Sequence, residues 1–424
     1  MKTPIPDLTP PPLRDDCFAL PAGVDWAPVD EALALLRGRL NAVTTVETCG
    51  LGDVLGRVLA ADVTAQRSNP PTANTAVDGY GFAFASLGEG DQTLPLVEGR
   101  SAAGDVYNGA VPKGYAVRVL TGATIPEGVD TVVLQEDCTI TDSHIIFAAG
   151  VRSGANTRRA GEDIVGGSVA LAAGRRITAA DLALMAAVGI STVQVRVKLR
   201  VAVVSTGDEL AEVGMVARDG QIYDANRPML LGIIEKLGFE GVDMGRVKDT
   251  RAALATCLNE AAERADVIIT SGGASAGDED HVSALLTESG AMEMWRIAIK
   301  PGRPLALAMW NGTPVFGLPG NPVAAMVTTL IFANPAMRLL AGEAWQEPVG
   351  YDMPAAFEKR KKPGRREYLR ARIRDGKVEV FASEGSGRIS GLSWAEGLVE
   401  LGEEARDIAV GDRVRFIPYG SFGI

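Results

Sequence analysis

The stretch IITSGGASAGDEDH (268–281), followed by IAIKPGRPLALAM (297–309) and VFGLPGNPV (315–323), decides how this chain is read. The first piece predicts a short apolar strand, Val267 to Thr270, that runs into the turn Ser271-Gly272-Gly273. A helix is expected to start near Asp278, an acceptable N-cap with Glu279 and Asp280 in its first turn. The last piece repeats the device. A strand from Pro314 to Leu318 enters Pro319-Gly320-Asn321-Pro322, with Asn321 placed to cap and Pro322 suited to the first helical position. Gly-bearing strand-to-helix turns expose backbone N–H groups at helix N-termini, where anions bind. Lys300 and Arg303 lie between the two turns, flanked by Pro301 and Pro304. A stiff basic loop beside an acidic turn suits an anionic ligand held together with a cation.

Outward from this stretch, residues 199–341 alternate strand and helix: LRVAVVST, NRPMLLGIIEKLG, EGVDMGRV, TRAALATCLNEAAER, DVIITSGG. That pattern predicts βαβαβ units with a mostly parallel sheet buried on both faces. Ligands of such sheets sit at the carboxyl ends of the strands. Carboxylates follow each strand there: Asp208 and Glu209 the first, Asp249 the second, Asp278 and Asp280 the third. Two carboxylates at contact distance repel by about 4 kcal/mol at an effective dielectric near 20. A hard cation relieves that repulsion, and Mg²⁺ suits a few carboxylates plus phosphate oxygens. The competing reading is that each acid caps the helix after it.

GASAG (273–277) also matches the G-x-S-x-G nucleophile elbow. A triad fails, because the only later histidine, His281, lies on the same expected helix and cannot face back onto Ser275. Ser275 is better read as a hydroxyl donor to a phosphate or a cation ligand. Neither G-x-x-x-x-G-K-[ST] nor G-x-G-x-x-G occurs.

At about 150 residues per domain, the 424 residues suggest two to four domains. A formal charge of −11 argues against a general nucleic-acid or membrane-surface role. Cys17, Cys49, Cys138 and Cys257 are scattered, which fits free thiols in a reducing cytoplasm. With only His144 and His281, a metal here would be a hard, oxygen-ligated one.

Residues 1–23 read as a flexible Pro-rich leader, and 323–337 as a buried helix too short to span a bilayer. VDEALALLRGRL (29–40) and ITAADLALMAAVGI (177–190) have helical spacing. Residues 46–150 are β-rich, and the tail from about 346 alternates as a small β-barrel or sandwich does. The basic run 358–366 reads as a solvated hairpin end. Asp78 in NTAVDGYGF and Thr121 in VRVLTGATIPEGVDTVV mark turns that pattern alone does not distinguish from ordinary ones.

VDGYGF, VRVLTGATIPEGVDTVV, RRAGEDI, VAVVSTGDEL, IITSGGASAGDEDHV, WRIAIKPGRP and FGLPGNPV occur in the order found in one family. From residue 24 onward the chain resembles the molybdopterin molybdenumtransferases, that is, the MoeA proteins and the gephyrin E domain. The resemblance implies an α/β multidomain protein. An elongated α+β domain (24–45 and 152–196) is split by a β-rich domain (46–151). A central domain (197–345), similar to the molybdopterin adenylyltransferases, precedes a C-terminal small β-barrel (346–424).

The implied activity is Mg²⁺-assisted insertion of molybdate into adenylylated molybdopterin with release of AMP, in a cytoplasmic homodimer. The alternatives are a molybdopterin adenylyltransferase or a non-catalytic scaffold of the gephyrin type. Implied catalytic residues are Asp78, Thr121, Glu209, Asp249 and Asp280, with Glu209, Asp249 and Asp280 also on the metal. Gly272, Gly273, Ser275, Asp278, Arg296, Lys300, Arg303, Pro319, Gly320, Asn321, Pro322, Arg370 and Ser386 are implied to bind the cofactor precursor and molybdate. Asp78 and Thr121 would approach from the partner subunit. A molybdopterin adenylyltransferase and molybdoenzyme-maturation proteins are further partners the resemblance suggests. Arg296 and Arg303 stand where the family usually has Lys, Ala324 where Ser is frequent, and Gly81 where Ala is usual.

Overall fold

The computed structural model describes residues 26–272, 281–288, 292–294, 297–302 and 305–424. The expected leader, and the site residues Gly273, Ser275, Asp278, Asp280, Arg296 and Arg303, lie outside them. The chain divides into two compact units. One comprises residues up to Leu40, Leu199–Met337 and Gln346–Ile424; the other comprises Asn41–Lys198 and Arg338–Trp345.

In the first unit, six strands form one sheet in the order Glu240–Val247, Arg200–Thr206, Val267–Ser271, Thr313–Leu318, Ala306–Trp310, Met292–Met294. The first four are mutually parallel, and Ala306–Trp310 pairs antiparallel with both its neighbours. Val201, Ala202, Val203 and Val204 are all fully buried. That explains why this strand reads as a continuous apolar run rather than an alternating one. The helices Asn226–Lys236 and Arg251–Arg264 carry the chain between parallel strands. The chain places its second strand on one side of the first and its third on the other. The order therefore reverses at Arg200–Thr206, which sets a crevice at that strand's carboxyl end.

The helical run Pro322–Leu340 is long and apolar enough to cross a membrane, yet 83% of its most apolar window is buried within the fold. It is longer than the expected 323–337 and widens to a π-helix over Thr329–Ala333. Pro335 lacks an N–H and crowds the preceding turn, and the wider turn accommodates it. Asn334 anchors the run by donating from Nδ2 to the Phe422 carbonyl at 2.9 Å.

The C-terminal sheet runs in the order Ile299–Lys300, Arg366–Arg374, Gly397–Leu401, Arg413–Pro418, Tyr351–Pro354, with Lys377–Val380 also on Arg366–Arg374. A bridge between Ala355 and Val378 joins its two ends, so the strands wrap around Leu369, Val399, Val414 and Phe416. The edge strand Ile299–Lys300 comes from the central segment.

The helix Val29–Arg39 packs with this unit. Asp30 holds Arg366 through two hydrogen bonds of 2.8 Å, and Ala298 donates its N–H to the Ala27 carbonyl. The basic run also departs from expectation. Lys359 and Lys361 point inward, and Lys361 Nζ donates to the carbonyls of Lys362, Glu403 and Glu404. Only Arg360 between them is strongly exposed, which is the period-two alternation of a strand.

In the second unit, Val46–Gly50 pairs antiparallel with Thr192–Arg196, and Val63–Thr64 with Val169–Leu171. Val54, Leu59 and Val63 share a core with Ile177, Met185 and Val195, so the expected boundary at residue 46 falls inside one packed element. Thr178 and Asp181 close a capping box at the start of the helix Ala179–Ala187. The separate β-rich sheet orders Thr131–Leu134, Gly79–Phe82, Ala116–Val119, Gln92–Ser101, His144–Phe147 and Cys138–Ile140. Phe82 and Phe147 stack in its core with ring centroids 5.2 Å apart.

Candidate active site

Three parallel strand tips meet where the sheet order reverses, and glycine is what lets them meet. Gly272 has φ +96°, and a Cβ there would lie 2.5 Å from the Thr206 carbonyl oxygen. A Cβ on Gly320 would lie 3.7 Å from Gly272 Cα, and the Gly272 N–H reaches the Leu318 carbonyl at 3.3 Å. Both positions thus serve close backbone approach.

Asn226, absent from the sequence-predicted set, ties these turns together. Its Nδ2 donates to Ser271 Oγ at 2.8 Å and to the Gly320 carbonyl at 2.7 Å. Asp224 sets the start of its helix by accepting the Arg227 N–H at 3.1 Å. The only sequence signal was Asp224 and Asn226 heading a helix, which is common to many caps. Asn226 Oδ1, Ser205 Oγ, Thr206 Oγ1 and Thr270 Oγ1 are buried with no hydrogen-bond partner among the described residues. Polar groups held this way behind a crevice are suited to a ligand or ordered water.

Glu209 and Asp249 leave neighbouring strands, since Thr206 pairs directly with Val247. Glu209 is exposed and Asp249 half-buried. Among the described residues no group of three or more His, Cys, Asp and Glu is placed to hold a metal by itself.

On the other flank, Asn321 occupies the N-cap position and Pro322 the first turn, but the Asn321 side chain makes no capping hydrogen bond. The Val323 N–H is satisfied by the Ser386 carbonyl at 3.2 Å instead. Pro319 is buried, and Gly320 and Asn321 are exposed. Ser386 lies on a loop organised by Arg370. That buried guanidinium donates to the carbonyls of Arg388 (2.5 Å), Gly385 (3.2 Å) and Ser383, and sits 4.8 Å from the Phe381 ring centroid. Burial pulls the Arg370 pKa below its ordinary value, against the opposing effects of Tyr419 and Glu384.

Lys300 enters from the edge strand of the C-terminal sheet and pairs with Glu384 at 2.8 Å. Burial pushes the Glu384 carboxyl up, but bonds from Lys300 and Lys359 outweigh it and hold it below the ordinary glutamate value. Beneath the loop, Ala324 is buried and Gly302 is backed by Thr328, so the small residue at 324 lets the basic loop lie on the helix.

Asp78 and Thr121 lie together in the second unit. Asp78 Oδ1 accepts both the Thr121 hydroxyl and the Thr121 N–H at 2.6 Å. The hydroxyl bond foremost, then the N–H, holds the Asp78 carboxyl below its usual range. Gly79 is required beside them, because a Cβ there would lie 2.0 Å from the Val133 carbonyl oxygen.

Three family models cover the chain: the MoeA N-terminal region (domain I and II) at residues 27–189, a probable molybdopterin-binding domain at 202–339, and the MoeA C-terminal region (domain IV) at 352–419. The molybdopterin molybdenumtransferase of Haemophilus influenzae is 35% identical over 399 residues, covering 92% of this chain and 98% of that protein. The chain belongs to the MoeA family of molybdopterin molybdenumtransferases.

Within the family, molybdopterin molybdenumtransferase 2 of Mycobacterium tuberculosis is 31% identical over 87% of this chain and 94% of its own length. The crystal structure of the MoeA molybdopterin biosynthesis protein from Pyrococcus horikoshii OT3 superposes with a TM-score of 0.80 at 28% identity, covering 93% of this chain and 100% of that one. Membership makes this MoeA-family chain a transferase of molybdenum cofactor biosynthesis.

Proposed function

We propose that this chain transfers molybdenum from molybdate into adenylylated molybdopterin and releases AMP. One observation carries the reading. The Gly272 and Gly320 turns meet at the carboxyl ends of the parallel strands, and the loop whose Ser386 carbonyl caps the adjoining helix also carries Glu384, the partner of Lys300. Backbone N–H groups at such tips suit phosphate oxygens, and cations with hydroxyls suit the molybdate dianion. No protein nucleophile is needed for this exchange. The adenylyltransferase alternative would need only the central domain. Here Lys300 is hydrogen-bonded into the C-terminal sheet, so the basic loop and that domain form one construction.

Glu209 and Asp249 offer the hard oxygen donors that magnesium prefers, on adjacent strand ends, and Asp280 follows the next strand in sequence. These three residues would hold the ion, which when bound offsets charge on the pyrophosphate oxygens. With few protein ligands, the remaining positions would fall to water and substrate phosphate.

The working unit is proposed to be a homodimer in which the Asp78–Thr121 pair of one subunit serves the other's site. Mixing Asp78→Asn chains with Lys300→Met chains should then restore activity that neither has alone. The decisive assay incubates purified protein with adenylylated molybdopterin, molybdate and Mg²⁺, following AMP and reactivation of an apo-molybdoenzyme. Asp280→Asn should abolish both signals while the fold persists. Wild-type protein that yields neither AMP nor reactivation sinks the proposal.

A further inference from the structure

The basic loop and the C-terminal sheet share a square of four charges. Lys300 Nζ lies 2.8 Å from Glu384 Oε2 and 3.5 Å from Glu367 Oε1. Lys359 Nζ lies 3.2 Å from Glu367 Oε2 and also pairs with Glu384 Oε1. Each carboxylate therefore spans both ammonium groups.

The two carboxylates differ in how firmly they are held. The Glu367 side chain is 7% exposed, and its backbone pairs with Lys300 on one side and Leu401 on the other. The Glu384 side chain is 45% exposed and sits on the loop that also carries Ser386. Glu367 is a fixed counter-charge, whereas Glu384 can leave by rotating into water. With both in place the square is neutral. Without Glu384, two ammonium groups face one carboxylate and one net positive charge remains.

A carboxylate bridging two ammonium groups presents two oxygens, as one edge of a tetrahedral oxyanion does. We propose that Glu384 is an internal competitor for the oxyanion site: its carboxylate occupies the Lys300–Lys359 pair until molybdate replaces it. Lys359 is then a second cation of that site, and Glu384 sets its affinity. The inference rests on the reading that Lys300 binds the oxyanion. An incoming dianion that left Glu384 in place would meet a neutral square and a like charge, so exchange is the route that keeps both ammonium groups paired.

The test is calorimetric titration of molybdate alone into the full-length protein at fixed ionic strength. Glu384→Gln removes the charge and keeps the shape, and should tighten molybdate binding by about tenfold or more, since charge-assisted bonds are the strong ones. Glu384→Asp keeps the charge and should remain close to wild type. Adding Lys359→Met to Glu384→Gln should weaken binding by about tenfold. Lys300→Met should abolish it. If Glu384→Gln binds no tighter while Lys300→Met still abolishes binding, the competitor role is wrong and the oxyanion site stands. Binding indifferent to Lys300→Met, or undetectable in every variant, overturns the oxyanion reading and this inference with it.

Discussion

Ser386 accepts the Val323 N–H at 3.2 Å, so a carbonyl of the C-terminal segment caps the helix that begins at Pro322. Arg370 makes this possible by holding three carbonyls of the same loop from a buried position. Arg370→Met leaves those carbonyls without a charged donor and should cost about 3 kcal/mol of stability, since each unsatisfied buried group costs roughly 1–3 kcal/mol. Thermal unfolding of the full chain measures it. Activity should fall further than the lost stability explains, because Ser386 loses its place. An Arg370→Met protein that melts like wild type would show that the loop is held by other means.

Gly302 has φ +109°, in the left-handed region, and a Cβ there would lie 2.5 Å from Thr328 Cγ2. Gly302→Ala should therefore cost about 1–3 kcal/mol and move Lys300. Molybdate affinity should drop together with the melting temperature. Ala324→Ser, by contrast, adds one hydroxyl to a helix turn whose carbonyls can accept it, and should change stability by less than about 1 kcal/mol. Unfolding midpoints of the two variants separate a strained backbone from a tolerated side chain.

Asn226 is 7% exposed and joins Ser271 to Gly320 through one amide nitrogen. Asn226→Asp replaces that donor with an acceptor facing a carbonyl oxygen. It should cost about 2 kcal/mol and raise KM for adenylylated molybdopterin more than it lowers stability. Asn226→Ala should be the milder change, because it removes the donor without burying a charge. The reverse order would mean that the amide is structural filler.

These residues show where sequence reading reaches its limit. Gly272 and Gly320 were legible because the need for glycine is local: a strand turns into a helix beside another strand tip. The parallel order was legible for the same reason, since Val201 to Val204 must be buried on both faces. Lys359, Glu367 and Glu384 were not legible. They meet Lys300 only because its strand joins a sheet formed some 60 residues later, as the pairing of Lys300 with Glu367 shows. The contact between the helix Val29–Arg39 and the C-terminal sheet was hidden likewise, because Arg366 lies 336 residues from Asp30. Long-range charge pairs leave no periodic trace in sequence.

Thr121 gives Asp78 both a hydroxyl and a backbone N–H, and Thr121→Val removes only the first. The folded-state pKa of Asp78 lies below its ordinary value, so its bonds contribute fully above the unfolded-state pKa and are lost as pH falls through the folded one. Thr121→Val should raise the Asp78 pKa toward the ordinary aspartate range, because the hydroxyl is the larger cause. Carboxyl-carbon NMR titration reads this directly. If ionised Asp78 is required for transfer, the acidic limb of the activity profile should move to higher pH by the same amount. An NMR shift without a matching kinetic shift would show that Asp78 acts by shape and hydrogen bonding rather than by its charge.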